Sequence, residues 1–109
     1  MTAKQGDIVL LDFNPQAGHE QAGHRPGLVV SESAFNKATG FIFVVPITSQ
    51  VKGYPFEVKI RGTKKTQGVA LTDQLKSLDA KARHCKVVDH VDQETLNHTL
   101  DTITTIIGR

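Results

Sequence analysis

At 109 residues the chain has room for one domain, residues 1–109, with one modest core. A formal net charge of +2 is too small to mark a nucleic-acid binder by itself, so any anionic footprint must come from local clustering. The lone Cys85 excludes an intrachain disulfide, and no apolar run reaches the length of a membrane span or opens the chain as a leader, so a cytoplasmic protein with no membrane contact is expected.

Taken in order, Asp7–Phe13 reads as a first strand, apolar enough to be buried on both sides for part of its length. Asn14-Pro15 signals a turn, and residues 14–24 form a loop long enough to be a place for function. Gly27–Ser31 is a second strand, Ser33–Thr39 a polar excursion closed by Gly40, and Phe41–Ile47 a third strand. After the turn Lys52-Gly53-Tyr54-Pro55, the alternation of Phe56, Val58 and Ile60 with Glu57 and Lys59 predicts a half-exposed strand. Gly62–Gln67 is a charged hairpin tip, Gly68–Thr72 a returning strand, and Leu75–Asp79 extended chain. Ala80–His84 fits one helical turn and Cys85–Val88 a last short strand. The period then changes: Leu96, Leu100, Ile103 and Ile107 recur every three or four residues, with Asp92 as N-cap and Gly108 as stop, which predicts an amphipathic helix. Five to seven short strands ending in one helix make a mainly β fold, a small curved antiparallel sheet closing toward a barrel.

Two strings carry the chemistry. Glu20-Gln21-Ala22-Gly23-His24-Arg25-Pro26 leads into the second strand, and Pro46-Ile47-Thr48-Ser49-Gln50 ends the third. The Arg25 guanidinium stays charged and presents five donors in a planar fork, which suits a phosphate and the added charge of a pentavalent transition state. Pro26 fixes the backbone just after it. Thr48 and Ser49 offer hydroxyls to a phosphate or a ribose, although threonine also simply suits strands and serine suits turns. No nucleophile elbow surrounds them, which argues against covalent catalysis. His19, beside Glu20, can exchange a proton near neutral pH. The histidines lack ligand spacing with other donors, so neither a metal nor any other cofactor is expected. With no tryptophan and one tyrosine, base stacking would fall to Phe13, Tyr54 or Phe56. Arg61, Lys64 and Lys65 read most simply as a solvated tip.

Several strings in order resemble the MazF/PemK family of toxin endoribonucleases: Asp12-Phe13-Asn14-Pro15, Gly18-His19-Glu20-Gln21-Ala22-Gly23-His24-Arg25-Pro26, Val45-Pro46-Ile47-Thr48-Ser49, Lys52-Gly53-Tyr54-Pro55-Phe56-Glu57-Val58, Gly68-Val69-Ala70 and Asp73-Gln74. The resemblance spans nearly the whole chain. It implies a small SH3-like antiparallel barrel of the CcdB/PemK type with a C-terminal helix. It also implies a homodimer that cuts single-stranded RNA, typically mRNA, without a metal, and a cognate antitoxin whose acidic disordered tail blocks the groove. Arg25 and Thr48 match the catalytic pair of the MazF branch, and Glu20 matches an acid in the same site. Substrate contacts are expected from Phe13, His19, Gln21, Gly23, His24, Ser49, Gln50, Lys52, Asp73, Gln74 and Lys76. The PemK branch carries an arginine where this chain has Leu71, which shifts the burden to Arg25, while His19 matches the PemK-branch histidine. Glu20 and His19 are both candidates for the base. Two other readings share the fold or the ligand: a CcdB-like toxin that binds a topoisomerase, although the end Ile106-Ile107-Gly108-Arg109 lacks the tryptophan such proteins use, and a non-catalytic RNA-binding regulator.

Overall fold

In a computed structural model, which describes residues 2–14, 18–20 and 23–109, the strands are β1 (Asp7–Asp12), β2 (His24–Val29), β3 (Phe41–Thr48), β4 (Glu57–Lys59), β5 (Val69–Leu71), β6 (Lys76–Asp79) and β7 (Lys86–His90). Helix α1 (Ser33–Thr39) lies between β2 and β3, and α2 (Gln93–Ile107) ends the chain. All pairings are antiparallel. The spatial order is β4-β5-β3-β2-β1-β7, with β6 also on β3. β3 is long enough to serve two partners, Phe41–Val44 pairing with β6 and Ile47–Thr48 with β5.

The expected small mainly β fold with a C-terminal helix is present, but the sheet is an open path rather than a closed barrel. Its ends, β4 and β7, are joined by hydrogen bonds from the chain that follows β4. The Asp92 N–H donates to the Arg61 carbonyl at 3.1 Å. The buried Asp89 carboxylate accepts from the N–H groups of Lys64 (3.0 Å), Lys65 (3.1 Å) and Thr66 (3.1 Å), from the Thr66 hydroxyl (3.1 Å) and from the His90 N–H (2.9 Å).

The central strands are apolar on both faces, as the first strand's composition suggested. On one face Ile8, Leu28, Val45 and Ile47 pack with Val58 and Ile60 and with Leu96 and Ile103 of α2. On the other, Val9, Leu11, Phe13, Val29, Ile42, Val44 and Leu78 form a second cluster. A register shift between Ile8 and Val9 against β7 accompanies this double-sided burial.

Helix α2 begins where Asp92 Oδ1 accepts from the Thr95 N–H at 2.8 Å and stops at Gly108, whose N–H bonds back to Thr104 and Thr105. That cap keeps the Asp92 carboxyl below its usual pKa, first through the Thr95 side chain and then through the Thr95 amide. Leu96 and Ile103 are buried, each worth roughly 1.5–3 kcal/mol of apolar burial, and Leu100 is partly so. Ile107, the last residue of the apolar stripe, is 67% exposed and lies outside the core. Among the described residues no helix is long and apolar enough to cross a membrane.

One segment differs in kind from the sequence reading. Ser33–Thr39 is a helix, not an irregular excursion. Its one buried residue is Asn36, which bonds to the Ala3 and Ser31 carbonyls and accepts from the Ser31 hydroxyl. A polar anchor therefore docks α1, and apolar periodicity had no signal to offer there.

Candidate active site

The site forms where the second apolar face runs out. Side chains alternate across a strand, so the residues that continue that face can be followed along each one. On β2 the series Val29, Gly27 leads to Arg25, and on β3 the series Val44, Pro46 leads to Thr48. On β6, Leu78 leads to Lys76, which pairs with Val44. Gly27 lies opposite Pro46, and continuing that register sets Arg25 across from Thr48. One end of an apolar face thus turns into a guanidinium, a hydroxyl and an ammonium.

Two cavities meet at this end and share Thr48 and Gln50. One, of about 420 Å³, is lined by His24, Arg25, Pro26, Ile47, Thr48, Ser49, Gln50 and Gln67. The other, of about 400 Å³, is lined by His19, Thr48, Gln50, Lys52, Tyr54, Glu57, Leu71, Asp73 and Gln74. Thr48 is 9% exposed, and its hydroxyl oxygen accepts from the Gln50 N–H at 3.1 Å. A hydroxyl that accepts there keeps its own proton for donation. Glu57 organises the chain beyond, its two carboxylate oxygens accepting from the Lys52 and Gly53 N–H groups at 3.1 and 2.9 Å.

The structure therefore gathers Arg25, Thr48, His24, Ser49 and Gln50 around one cavity and His19, Lys52, Asp73 and Gln74 around its neighbour. Glu20 lies on neither lining. Its carboxylate meets the Lys76 ammonium at 3.3 Å, with side-chain exposures of 44% and 19%. Gln21 falls outside the described residues. Gly23 closes the base of the β1–β2 connection, its N–H donating to the Asn14 side chain at 3.0 Å and its carbonyl accepting from the Phe13 N–H at 2.9 Å. Arg83 adds a guanidinium bond to the Asn14 carbonyl.

Phe13 is not a stacking surface. It is 1% exposed and fills the space above Gly27, where an added Cβ would come 2.6 Å from Val44 Cγ2 and 3.0 Å from Phe13 Cζ. Its part is to support the strand that carries Arg25. Of the other two aromatic candidates, Tyr54 is 58% and Phe56 42% exposed, and Tyr54 lines the cavity with His19.

Three features were missed from sequence. Gln67 lines the Arg25 cavity. Gly68 packs on β3 so tightly, at φ +120°, that a Cβ would stand 2.2 Å from the Thr48 carbonyl oxygen. Arg83 braces the β1–β2 connection from a turn 69 residues away. The Gly68-Val69-Ala70 string was the only local hint, and it did not say what the glycine touches. Among the described residues no group of three or more His, Cys, Asp or Glu side chains is arranged to hold a metal ion.

With this geometry in hand, the comparisons with known proteins agree. Residues 4–107 match the PemK-like, MazF-like toxin family of type II toxin–antitoxin systems. The chain belongs to that family. It is 45% identical over 103 residues to the endoribonuclease toxin MazF of Escherichia coli K12, covering 94% of this chain and 92% of that protein. It is 38% identical over 108 residues to the endoribonuclease PemK of Escherichia coli, covering 95% and 81%. Its fold superposes on the crystal structure of MazF from Deinococcus radiodurans with a TM-score of 0.94 at 38% identity, covering 100% of this chain and 99% of that one. A crystal structure of MazE–MazF from the same organism matches with a TM-score of 0.87 at 38% identity, covering 99% and 97%.

Proposed function

We propose that this chain is a one-domain toxin of a type II toxin–antitoxin system, a cytoplasmic endoribonuclease that cuts single-stranded RNA, typically mRNA, at short sequences and so arrests translation and growth. The observation that carries the reading is that Arg25 of β2 and Thr48 of the adjacent β3 line one open cavity at the polar end of a buried face. The reaction assigned to them is attack of a ribose 2′-oxygen on the adjacent phosphorus. The new 2′-O–P bond forms as the P–O5′ bond breaks, giving a 2′,3′-cyclic phosphate and a 5′-hydroxyl. Arg25 neutralises the charge gathering on the phosphorane, and Thr48 donates its hydroxyl proton to the same oxygens. The role assigned to Arg25 is electrostatic rather than proton transfer.

Two side chains compete for the 2′-hydroxyl proton. In support of His19 is its place in the cavity with Thr48. Glu20 is engaged by Lys76, which fits an anchoring role for that pair until phosphate arrives. With His19 as the base, His19→Asn should slow single-turnover cleavage far more than Glu20→Gln does; the reverse order would assign the base to Glu20.

The central experiment is cleavage of an RNA carrying a single 2′-deoxyribose on the 5′ side of the cut. Binding should survive and cleavage should stop; continued cleavage would make water the nucleophile. The same assay in excess EDTA should proceed undiminished, since the mechanism routes no step through a metal or other cofactor.

As partners we propose a second copy of the chain and an antitoxin with an acidic disordered tail, which competes with RNA for the cationic groove by imitating its charge. Exposed Phe41 and Phe43 on β3, with Phe35 on α1, supply apolar surface suited to a homodimer.

A further inference from the structure

The wall formed by residues 61–68 is built from a distance. Its N–H groups at Lys64, Lys65 and Thr66 point at Asp89 of β7, and within it the Thr63 hydroxyl donates to the Thr66 carbonyl at 2.6 Å. Burial would raise the Asp89 carboxyl, but the amide bonds from Lys64, Lys65, His90 and Thr66 outweigh that and hold it well below the usual carboxylate range. A charge anchored this way fixes a backbone firmly. The next residue, Gln67, is exposed at the rim of the Arg25–Thr48 cavity. It also lines an adjoining cavity of about 700 Å³ with Val51, Tyr54 and Lys59.

Phosphate contacts hold a nucleic acid in register but carry no sequence information. Sequence is read by groups whose donors and acceptors match base edges, and a glutamine amide offers a donor and an acceptor side by side. Gln67 lies where the cavity assigned to phosphate adjoins one bearing exposed Val51 and Tyr54, a junction suited to an unstacked base.

We propose that Gln67 contacts a nucleobase of the RNA and helps set which sequence is cut, and that Asp89 is the positioning residue that holds Gln67 there. The inference rests on the endoribonuclease reading above.

The test sequences the cut ends from a randomised single-stranded RNA pool treated with the wild-type protein, Gln67→Ala, Asp89→Asn and the double variant. Gln67→Ala should still cut, with preference at one nucleotide position reduced about tenfold, the worth of one neutral hydrogen bond. Asp89→Asn, which offers its amide donors to N–H groups that need acceptors, should relax the same position, and the double variant should relax it no further than Gln67→Ala. If Asp89→Asn does not fold, Thr66→Val, which removes one hydroxyl bond to the carboxylate, takes its place with a smaller shift at the same position. Unchanged preference in Gln67→Ala overturns the base contact. Uniform slowing of every sequence by the Asp89 or Thr66 variant, without relaxation, makes Asp89 merely structural. A wild-type protein that cuts nothing in the pool overturns the endoribonuclease reading, and this inference with it.

Discussion

The 61–68 segment and the β1–β2 connection flank the same site, yet they are held by different means. The first hangs on a buried carboxylate 7% exposed, which accepts four bonds from Lys64, Lys65 and Thr66. The second is braced at its base by Asn14 and Arg83. Nearer the substrate side it is tied to β6 by the Glu20–Lys76 ion pair, with Glu20 44% exposed. Exposed pairs contribute roughly 0–1 kcal/mol, whereas a buried charge deprived of its partners costs several. One wall is thus fixed before RNA arrives. The other is closed by a bond that a phosphate can replace, because Lys76 can exchange a carboxylate for a phosphate oxygen. The guanidinium to which the proposed chemistry is assigned, that of Arg25, belongs to neither wall but to β2 itself.

That division makes Arg25 the position of largest effect. Arg25→Ala should lower the cleavage rate about a thousandfold, with the melting temperature little changed because the half-buried side chain lines the cavity and belongs to neither core cluster. Thr48→Ala should cost less, about tenfold, since it removes a neutral donor. Single-turnover cleavage of one defined RNA measures both; near-wild-type cutting by Arg25→Ala would remove the assignment.

Asp89→Ala comes next and acts on stability. It strands the amides of Lys64, Lys65, Thr66 and His90, and should destabilise the fold by about 3 kcal/mol in urea unfolding. The pH dependence has a definite sign. The folded pKa lies below the value of ~3.9 for an unfolded aspartate. The stabilisation is therefore complete only above about pH 5 and drains away as pH falls through ~3.9 toward the folded value. Asp89→Asn should flatten that limb of the stability curve. A variant as stable as wild type would erase the contrast between the two walls.

Legibility followed the range of the interactions. Helix α2 was readable because Asp92, the leucine and isoleucine spacing and Gly108 act within a few residues of one another. Arg25 and Thr48 were readable because each sits in a compact string at a strand end. Asp89 was not, since its partners on the 61–68 segment lie 23 to 25 residues away and an aspartate in a polar strand looks solvated. Phe13 misled for a related reason. The hole it fills exists because residue 27 is a glycine on the neighbouring strand, and only the β1–β2 register brings the two together. Arg61, Lys64 and Lys65 do present their charged side chains to solvent, but the backbone there builds the wall that leads to Gln67.

The smallest predicted effect sharpens the contrast most directly. In a double-mutant cycle with Lys76→Ala and Glu20→Gln, the coupling energy should stay below ~1 kcal/mol. It should shrink further in 1 M salt, where the Debye length falls to about 3 Å and shields the exposed carboxylate. Removing Lys76 should nonetheless weaken RNA binding, because the same ammonium is then missing as a phosphate partner, and the salt dependence of binding should fall by about 0.7 in log–log slope, one contact on a single strand. Stability and binding thus separate at this residue: little change in urea unfolding, a clear change in the salt slope. A coupling as large as the Asp89→Ala loss would mean that the Glu20 side is fixed as firmly as the Asp89 side, and the exchange of carboxylate for phosphate at Lys76 would have to be abandoned.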